Sequence, residues 1–297
     1  MNIVRIKFCL LALCALIACE NKGASIQDQI ETPKHQLQIK RSESDLIHDR
    51  SIRLSNLPLD DVKQSGSHLM ELAEGLHLLE RELPALAQEE INLMIHGYDS
   101  RGYEWIYPAH KLAERAPTYL YRWDWKRCPA EGASQLLTAL MTLSKRYPNR
   151  RIQAFGHSYG GVILAIAAAQ YQTLTTQDLS PLTAHLIASP LAGHPTLEAR
   201  CSQSIQSLTS ALKKHKSEGT EPQARNDKVK IKQWRTLKEL DGAFSSLETD
   251  PQIVDWRGEV TRLPESYQGQ RLGHNWSISA VVDRVLDIKP QKISDRP

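Results

Sequence analysis

From Glu90 onward the chain alternates short apolar runs with longer segments of helical spacing. Glu90-Ile91-Asn92-Leu93-Met94-Ile95 reads as a strand that runs into His96-Gly97-Tyr98-Asp99. A helix follows over roughly 105–115 and stops before Pro117. Thr118-Tyr119-Leu120-Tyr121-Arg122-Trp123 is the next strand, and leucines and alanines over 132–146 predict a helix closed by Pro148. Arg151-Ile152-Gln153-Ala154-Phe155 is short enough for a buried strand, and the alanine-rich run 161–169 reads as a helix packed under a sheet. Ala184–Ser189, ended by Pro190, and Val229–Arg235 are two further strands. The last strong element is an amphipathic helix over 275–286, through Ile278, Val281, Val282, Val285 and Leu286. Strands alternating with helices predict an α/β fold, a mainly parallel sheet flanked by helices. Such a sheet binds ligands beyond the C-terminal ends of its strands. Tyr98, Trp123, Ser158 and Ser189 fall at those ends.

Two regions fit this rhythm less well. Upstream, Leu69, Leu72, Ala73, Leu76 and Leu79 recur at helical spacing and predict a packing helix over 66–83. Residues 51–66 are assigned to no element, so no strand is evident before Glu90 and the sheet is expected to be reduced on its N-terminal side. Downstream, Leu197, Cys201, Ile205, Leu208 and Leu212 form one helical stripe, followed by a polar stretch from Ser217 to Asp227. The segment 193–228 reads either as a lid or insertion over the site, or as a covering helix with a surface loop.

A chain of 297 residues accommodates one α/β domain, placed here at 51–290, plus appendages. The net charge of +3, with both signs mixed along the chain, gives no support to nucleic-acid binding. There is no internal repeat, no metal-type Cys/His cluster and no phosphate-cradling glycine loop, so no cofactor or metal is expected. The N-terminus has a separate purpose. Arg5 and Lys7 precede an apolar run from Phe8 to Ala18, too short to span a membrane comfortably. It ends Leu16-Ile17-Ala18-Cys19, which resembles the bacterial lipoprotein box. That resemblance implies cleavage after Ala18, lipid modification of Cys19, and a polar tether over 20–50 holding the domain to a membrane of the bacterial cell envelope. It does not choose between inner and outer membrane; the other readings are an ordinary signal peptide cut nearby, or a short anchor. Cys9 and Cys14 would leave with the leader. Cys128 and Cys201 remain in a compartment that permits disulfides, either bridged or as two free thiols.

The candidate chemistry lies in Gly156-His157-Ser158-Tyr159-Gly160. A serine hydroxyl becomes a useful nucleophile when it is lifted out of the backbone and a base takes its proton. Gly-x-Ser-x-Gly between a strand and a helix does the first job. For the base, His274 stands apart from the other histidines: it follows Gly273 and directly precedes the final helix. His157 would point away along the turn, His185 sits in a strand, and His194 and His215 come early in the chain. An acid must orient the imidazole. Asp241, after the Val229–Arg235 strand, is the first candidate, with Asp250, Asp255 and Glu239 as rivals. Backbone amides of Tyr159 and Tyr98 are placed to meet a developing oxyanion.

Taken together, His96-Gly97-Tyr98, Gly156-His157-Ser158-Tyr159-Gly160-Gly161 and Gly273-His274 resemble an α/β-hydrolase of the lipase and esterase kind over about residues 90–290. The resemblance implies Ser158 as nucleophile, His274 as base and the Tyr98 and Tyr159 amides as oxyanion hole. No clear Gly-x-x-Asp ends the acid strand, so the acid stays a choice. The function expected is hydrolysis of a lipid or small acyl ester by a membrane-tethered serine hydrolase. Amidase, thioesterase or acyltransferase chemistry would use the same groups, and a non-catalytic binding module on this fold is the alternative of a different class. Tyr98, Tyr103, Trp105, Trp123, Trp125 and Trp276 are candidates to line an apolar pocket.

Overall fold

The computed structural model describes residues 51–82, 89–174, 179–199, 201, 228–256 and 258–289. The expected leader over 1–19, the tether over 20–50 and most of the 193–228 segment lie outside them. The strands are β1 (Ile52–Arg53), β2 (Gly75–Glu80), β3 (Glu90–Ile95), β4 (Thr118–Arg122), β5 (Arg151–His157), β6 (Leu182–Ile187), β7 (Val229–Arg235) and β8 (Glu259–Arg262). They form one sheet in the order β1-β2-β4-β3-β5-β6-β7-β8. Only β2 and β4 pair antiparallel; every other neighbouring pair is parallel. A small hairpin, β9 (Ser266–Tyr267) and β10 (Gln270–Arg271), stands apart. The helices are α1 (Val62–Met70), α2 (Tyr103–Arg115), α3 (Pro129–Arg146), α4 (Tyr159–Gln172), a single turn α5 (Pro195–Glu198), and α6 (Ser277–Val285).

The alternation of side chains along a strand sorts the core into two layers. Ile91, Leu93 and Ile95 of β3 face α3 and α4 together with Tyr119 and Tyr121 of β4. Met94, Leu120 and Phe155 face the other way, against α2 and α6. Helix α4 is buried all round, from Val162 through Ala168, as expected of a helix with no polar face. Helix α3 starts with Pro129 at its first turn and ends with Lys145 and Arg146, each suited to its end of the helix dipole.

The N-terminal expectation is corrected. The helix predicted over 66–83 ends at Met70, and the chain turns through Gly75, at φ 130°, into strand β2. β2 lies between β1 and β4, and most of its side chains are buried on either face. A strand covered on both faces loses the alternation that marks it, and its leucines then fit a helical period by accident. The sheet is therefore not reduced before Glu90: two strands precede it.

Cys128, just before α3, and Cys201 are joined by a disulfide with Cα atoms 5.5 Å apart. The bridge closes a loop of 73 residues, and loop-entropy arguments credit such a loop with about 4 kcal/mol. Replacing both cysteines with serine is expected to lower the melting temperature by roughly 5–15 °C. Thermal unfolding followed by circular dichroism, with the wild type run with and without reductant, checks this. An unchanged melting point would remove the bridge from the stability of the fold.

Candidate active site

Three loops at the C-terminal ends of parallel strands meet at the carboxyl edge of the sheet. They follow β3, β5 and β7, and the segment that enters α6 closes the group. At the end of β5, Ser158 adopts φ 54° and ψ −124°. A non-glycine residue in that region is strained, and such strain persists only where the surroundings enforce it. Here Ser158 N–H donates to Ile187 O of β6 at 2.9 Å, while Ser158 O accepts from Gly161 N–H at 3.0 Å. Close packing completes the turn. A Cβ on Gly160 would stand 2.3 Å from Ile95 O, and one on Gly97 would stand 2.8 Å from Ser158 Cβ. The β3 loop and the serine turn thus press together at a distance only glycine permits.

His274 Nδ1–H donates to Asp241, 2.9 Å from one carboxylate oxygen and 3.0 Å from the other. Asp241 is fully buried. It also accepts from Ala243 N–H at 2.9 Å and from the Thr236 hydroxyl at 2.5 Å. Thr236 is in turn held by Gln252, whose side-chain carbonyl accepts the Thr236 amide at 2.9 Å and whose amide donates to Thr236 O at 3.1 Å. Among the rivals, Asp250 accepts from Gln252 N–H at 2.9 Å and is linked to Asp241 only through Gln252 and Thr236, and Asp255 and Glu239 are exposed. The residue before the serine, His157, reaches the His274 carbonyl, while among the described residues no hydrogen bond joins the Ser158 hydroxyl to His274; catalytic hydrogen bonds in unliganded sites commonly tighten only when substrate arrives.

Two histidines without a predicted role hold this arrangement. His157 does not simply point away. It is buried, its Nε2–H donates to His274 O at 3.1 Å, and the two rings lie 4.5 Å apart. Burial, reinforced by the nearby His274, drives its pKa well below the usual histidine value, so it is a neutral support. His96 is equally buried. Its Nδ1–H donates to Gly97 O at 3.0 Å, and its Nε2 accepts from Arg122 at 2.5 Å. The Trp123 indole donates to His96 O at 2.8 Å. Burial, and then the Arg122 charge, lower the His96 pKa to about 3. A neutral His96 thereby pins the loop that carries Tyr98. Neither histidine could be given this role from spacing, because each acts through a partner distant in sequence.

Tyr159 opens α4, at the positive end of the helix dipole, and the Tyr98 amide lies on the loop pinned by His96. The Tyr98 ring packs edge-on to Trp125 at 4.7 Å and to Tyr159 at 5.5 Å. With Arg127, Pro129, Thr196 and Cys201 these three rings line a cleft beside the serine turn. The aromatic expectation divides accordingly. Trp105 and Trp123 are core residues, buried to 0% and 1% exposure, whereas Tyr98 and Tyr103 are about two-fifths exposed. Trp276 is partly buried against the second core layer, its indole donating to Tyr267 O at 3.4 Å. Among the described residues no group of His, Cys, Asp and Glu side chains is arranged to hold a metal ion.

Residues 106–215 match the class 3 lipase family. That stretch contains the Ser158 turn and neither Asp241 nor His274. Among solved structures, the chain is similar to esterase B from Lactobacillus rhamnosis, at 14% identity over 69% of this chain and 77% of that one, with a TM-score of 0.44. It is also similar to a Bacillus licheniformis lipase in mature form, at 12% identity over 69% and 92%, with a TM-score of 0.45. A lipase-esterase related protein from Clostridium acetobutylicum shares 10% identity over 72% and 99%, with a TM-score of 0.42. No curated protein matches the sequence. The chain has the α/β-hydrolase fold, with its strand order, its antiparallel β2 and its strand–turn–helix serine.

Proposed function

We propose that the protein is a serine hydrolase that cleaves carboxylic esters through an acyl-enzyme on Ser158. The observation that carries this reading is the buried Asp241 carboxylate straddled by His274 Nδ1–H, in a loop that meets the strained Ser158 turn. The Asp241 bond leaves Nε2 unprotonated and ready to accept the hydroxyl proton. Ser158 Oγ attacks the ester carbonyl as its proton passes to His274. The oxyanion is met by the amides of Tyr98 and Tyr159. Collapse breaks the ester C–O bond, and His274 returns the proton to the leaving alkoxide. Water, deprotonated by His274, then attacks the acyl-enzyme and releases the acid.

The cleft lined by Tyr98, Trp125 and Tyr159 supports a small apolar acyl or alcohol group at the site. The Leu16–Cys19 tetrapeptide supports lipid anchoring at Cys19 and an envelope location. A non-catalytic binding module was favoured by an undetermined acid, and the Asp241–His274 contact takes that support away.

The reading is tested with a fluorophosphonate probe on the protein as expressed. A stable adduct is expected on one peptide, and mass spectrometry should map it to Ser158. No adduct, or one on another residue, overturns the proposal.

A further inference from the structure

The cleft beside the serine turn has walls from two parts of the chain. Trp125 and Pro129 stand on one side, in the segment that leads from β4 into α3. Thr196 and Cys201 stand on the other, in the segment that follows β6. Tyr98 and Tyr159 join them beside Ser158. The Cys128–Cys201 disulfide runs from one wall to the other: Cys128 directly precedes Pro129, and Cys201 itself lines the cleft. The first wall is also held elsewhere. Arg127 pairs with Glu74 at 2.9 Å, and the Trp125 ring packs edge-on to Tyr98. The bridge ties the second wall to this fixed side.

Which half of an ester enters the cleft follows from the direction of the reaction. The leaving alkoxide must stand beside His274 to take its proton. The groups packed on His274, which are Asp241, His157 and Phe244, take no part in lining the cleft. The acyl half therefore belongs in the cleft, and the alcohol half on the His274 side. The space between the walls is about 220 Å³, including the part open to solvent, against roughly 300–1,000 Å³ for sites that take a drug-sized ligand. That is room for a short acyl chain.

We infer that the Cys128–Cys201 bridge determines acyl-chain specificity: by holding the Thr196–Cys201 wall against the Trp125–Pro129 wall, it restricts the enzyme to esters of short acyl chains. The inference rests on the serine-hydrolase reading above and concerns which ester is taken, not how it is cleaved. A bridge that acted only by constraining the unfolded chain would raise stability and leave the acyl preference unchanged.

The test compares the full-length protein with its bridge intact, with the bridge opened by a dithiol reductant, and as the Cys128→Ser/Cys201→Ser variant, each well below its melting temperature. kcat/KM is measured on p-nitrophenyl butyrate and p-nitrophenyl octanoate. The octanoate-to-butyrate ratio is expected to rise about tenfold when the bridge is removed by either route. Thr196→Phe, at an exposed position, narrows the cleft with the bridge in place and should lower the ratio. It decides the matter if the cysteine variant fails to fold. Acetates of short and long alcohols should show no such change. An unmoved acyl ratio with only the melting temperature altered, or a shift in the alcohol series instead, would overturn the inference. If no ester is hydrolysed, the serine-hydrolase reading fails, and binding of octanoic acid, followed by tryptophan fluorescence, judges the bridge by itself. That binding should be about tenfold tighter once the bridge is open, and equal binding or none overturns the inference.

Discussion

Ser158→Ala is expected to lower kcat on any ester the protein cleaves by about a million-fold, to the level left by binding and oxyanion contacts alone. The fold should not suffer. The strain of φ 54° at this position is borne by any residue with a Cβ, and alanine carries the same Cβ as serine. The amide at position 158 still reaches Ile187 O, and the packing of Gly97 against the Cβ is unchanged. Hydrolysis rates and thermal unfolding measured on the same preparation separate the two effects. A variant that melts as the wild type and retains more than about a thousandth of its activity would show that the oxygen of Ser158 is not the nucleophile.

The sheet from β3 to β7 was legible because its strands are short apolar runs bounded by proline, glycine or a helix of clear period. Val229–Arg235 forms over the residues expected, and Glu90–Ile95 does so as well. Legibility failed where a local pattern had two solutions. Gly75–Glu80 is buried between β1 and β4, so its leucines do not alternate, and the helical period of α1 carries through them unbroken. β1 is two residues long and β8 has exposed side chains at both ends; neither has enough apolar pattern to announce a strand. Those elements are made by pairing with neighbours, which is tertiary information.

The site divides in the same way. Ser158 and the His96-Gly97-Tyr98 loop are legible because each needs a local backbone form that glycine supplies. Asp241 was one of several carboxylates because what singles it out is burial together with donors from residues 236, 243 and 274. The supporting roles of the His96 and His157 side chains had no local mark. Each is defined by what it meets across the fold: Arg122 and the Trp123 indole for the first, the His274 carbonyl for the second.

Asp241→Asn separates the competing acids with the second-largest effect. An aspartate at 241 accepts every bond made to it: Ala243 N–H on Oδ1, the Thr236 hydroxyl on Oδ2, and His274 Nδ1–H at both. An asparagine amide must turn two donors toward one side of that set. Turned toward His274 and Thr236, it presents N–H to Nδ1 and favours the tautomer with the proton on Nε2, where it cannot accept from Ser158. Turned the other way, it opposes Ala243 N–H. The expected loss is roughly 10⁴ in kcat with the fold retained. Asp250→Asn and Asp255→Asn should stay within about threefold of wild type in kcat. Asp250 reaches Asp241 only through Gln252 and Thr236, and Asp255 is exposed. Steady-state kinetics on the three variants checks the order, and a larger loss at Asp250 or Asp255 than at Asp241 would move the role of acid away from the carboxylate that His274 touches.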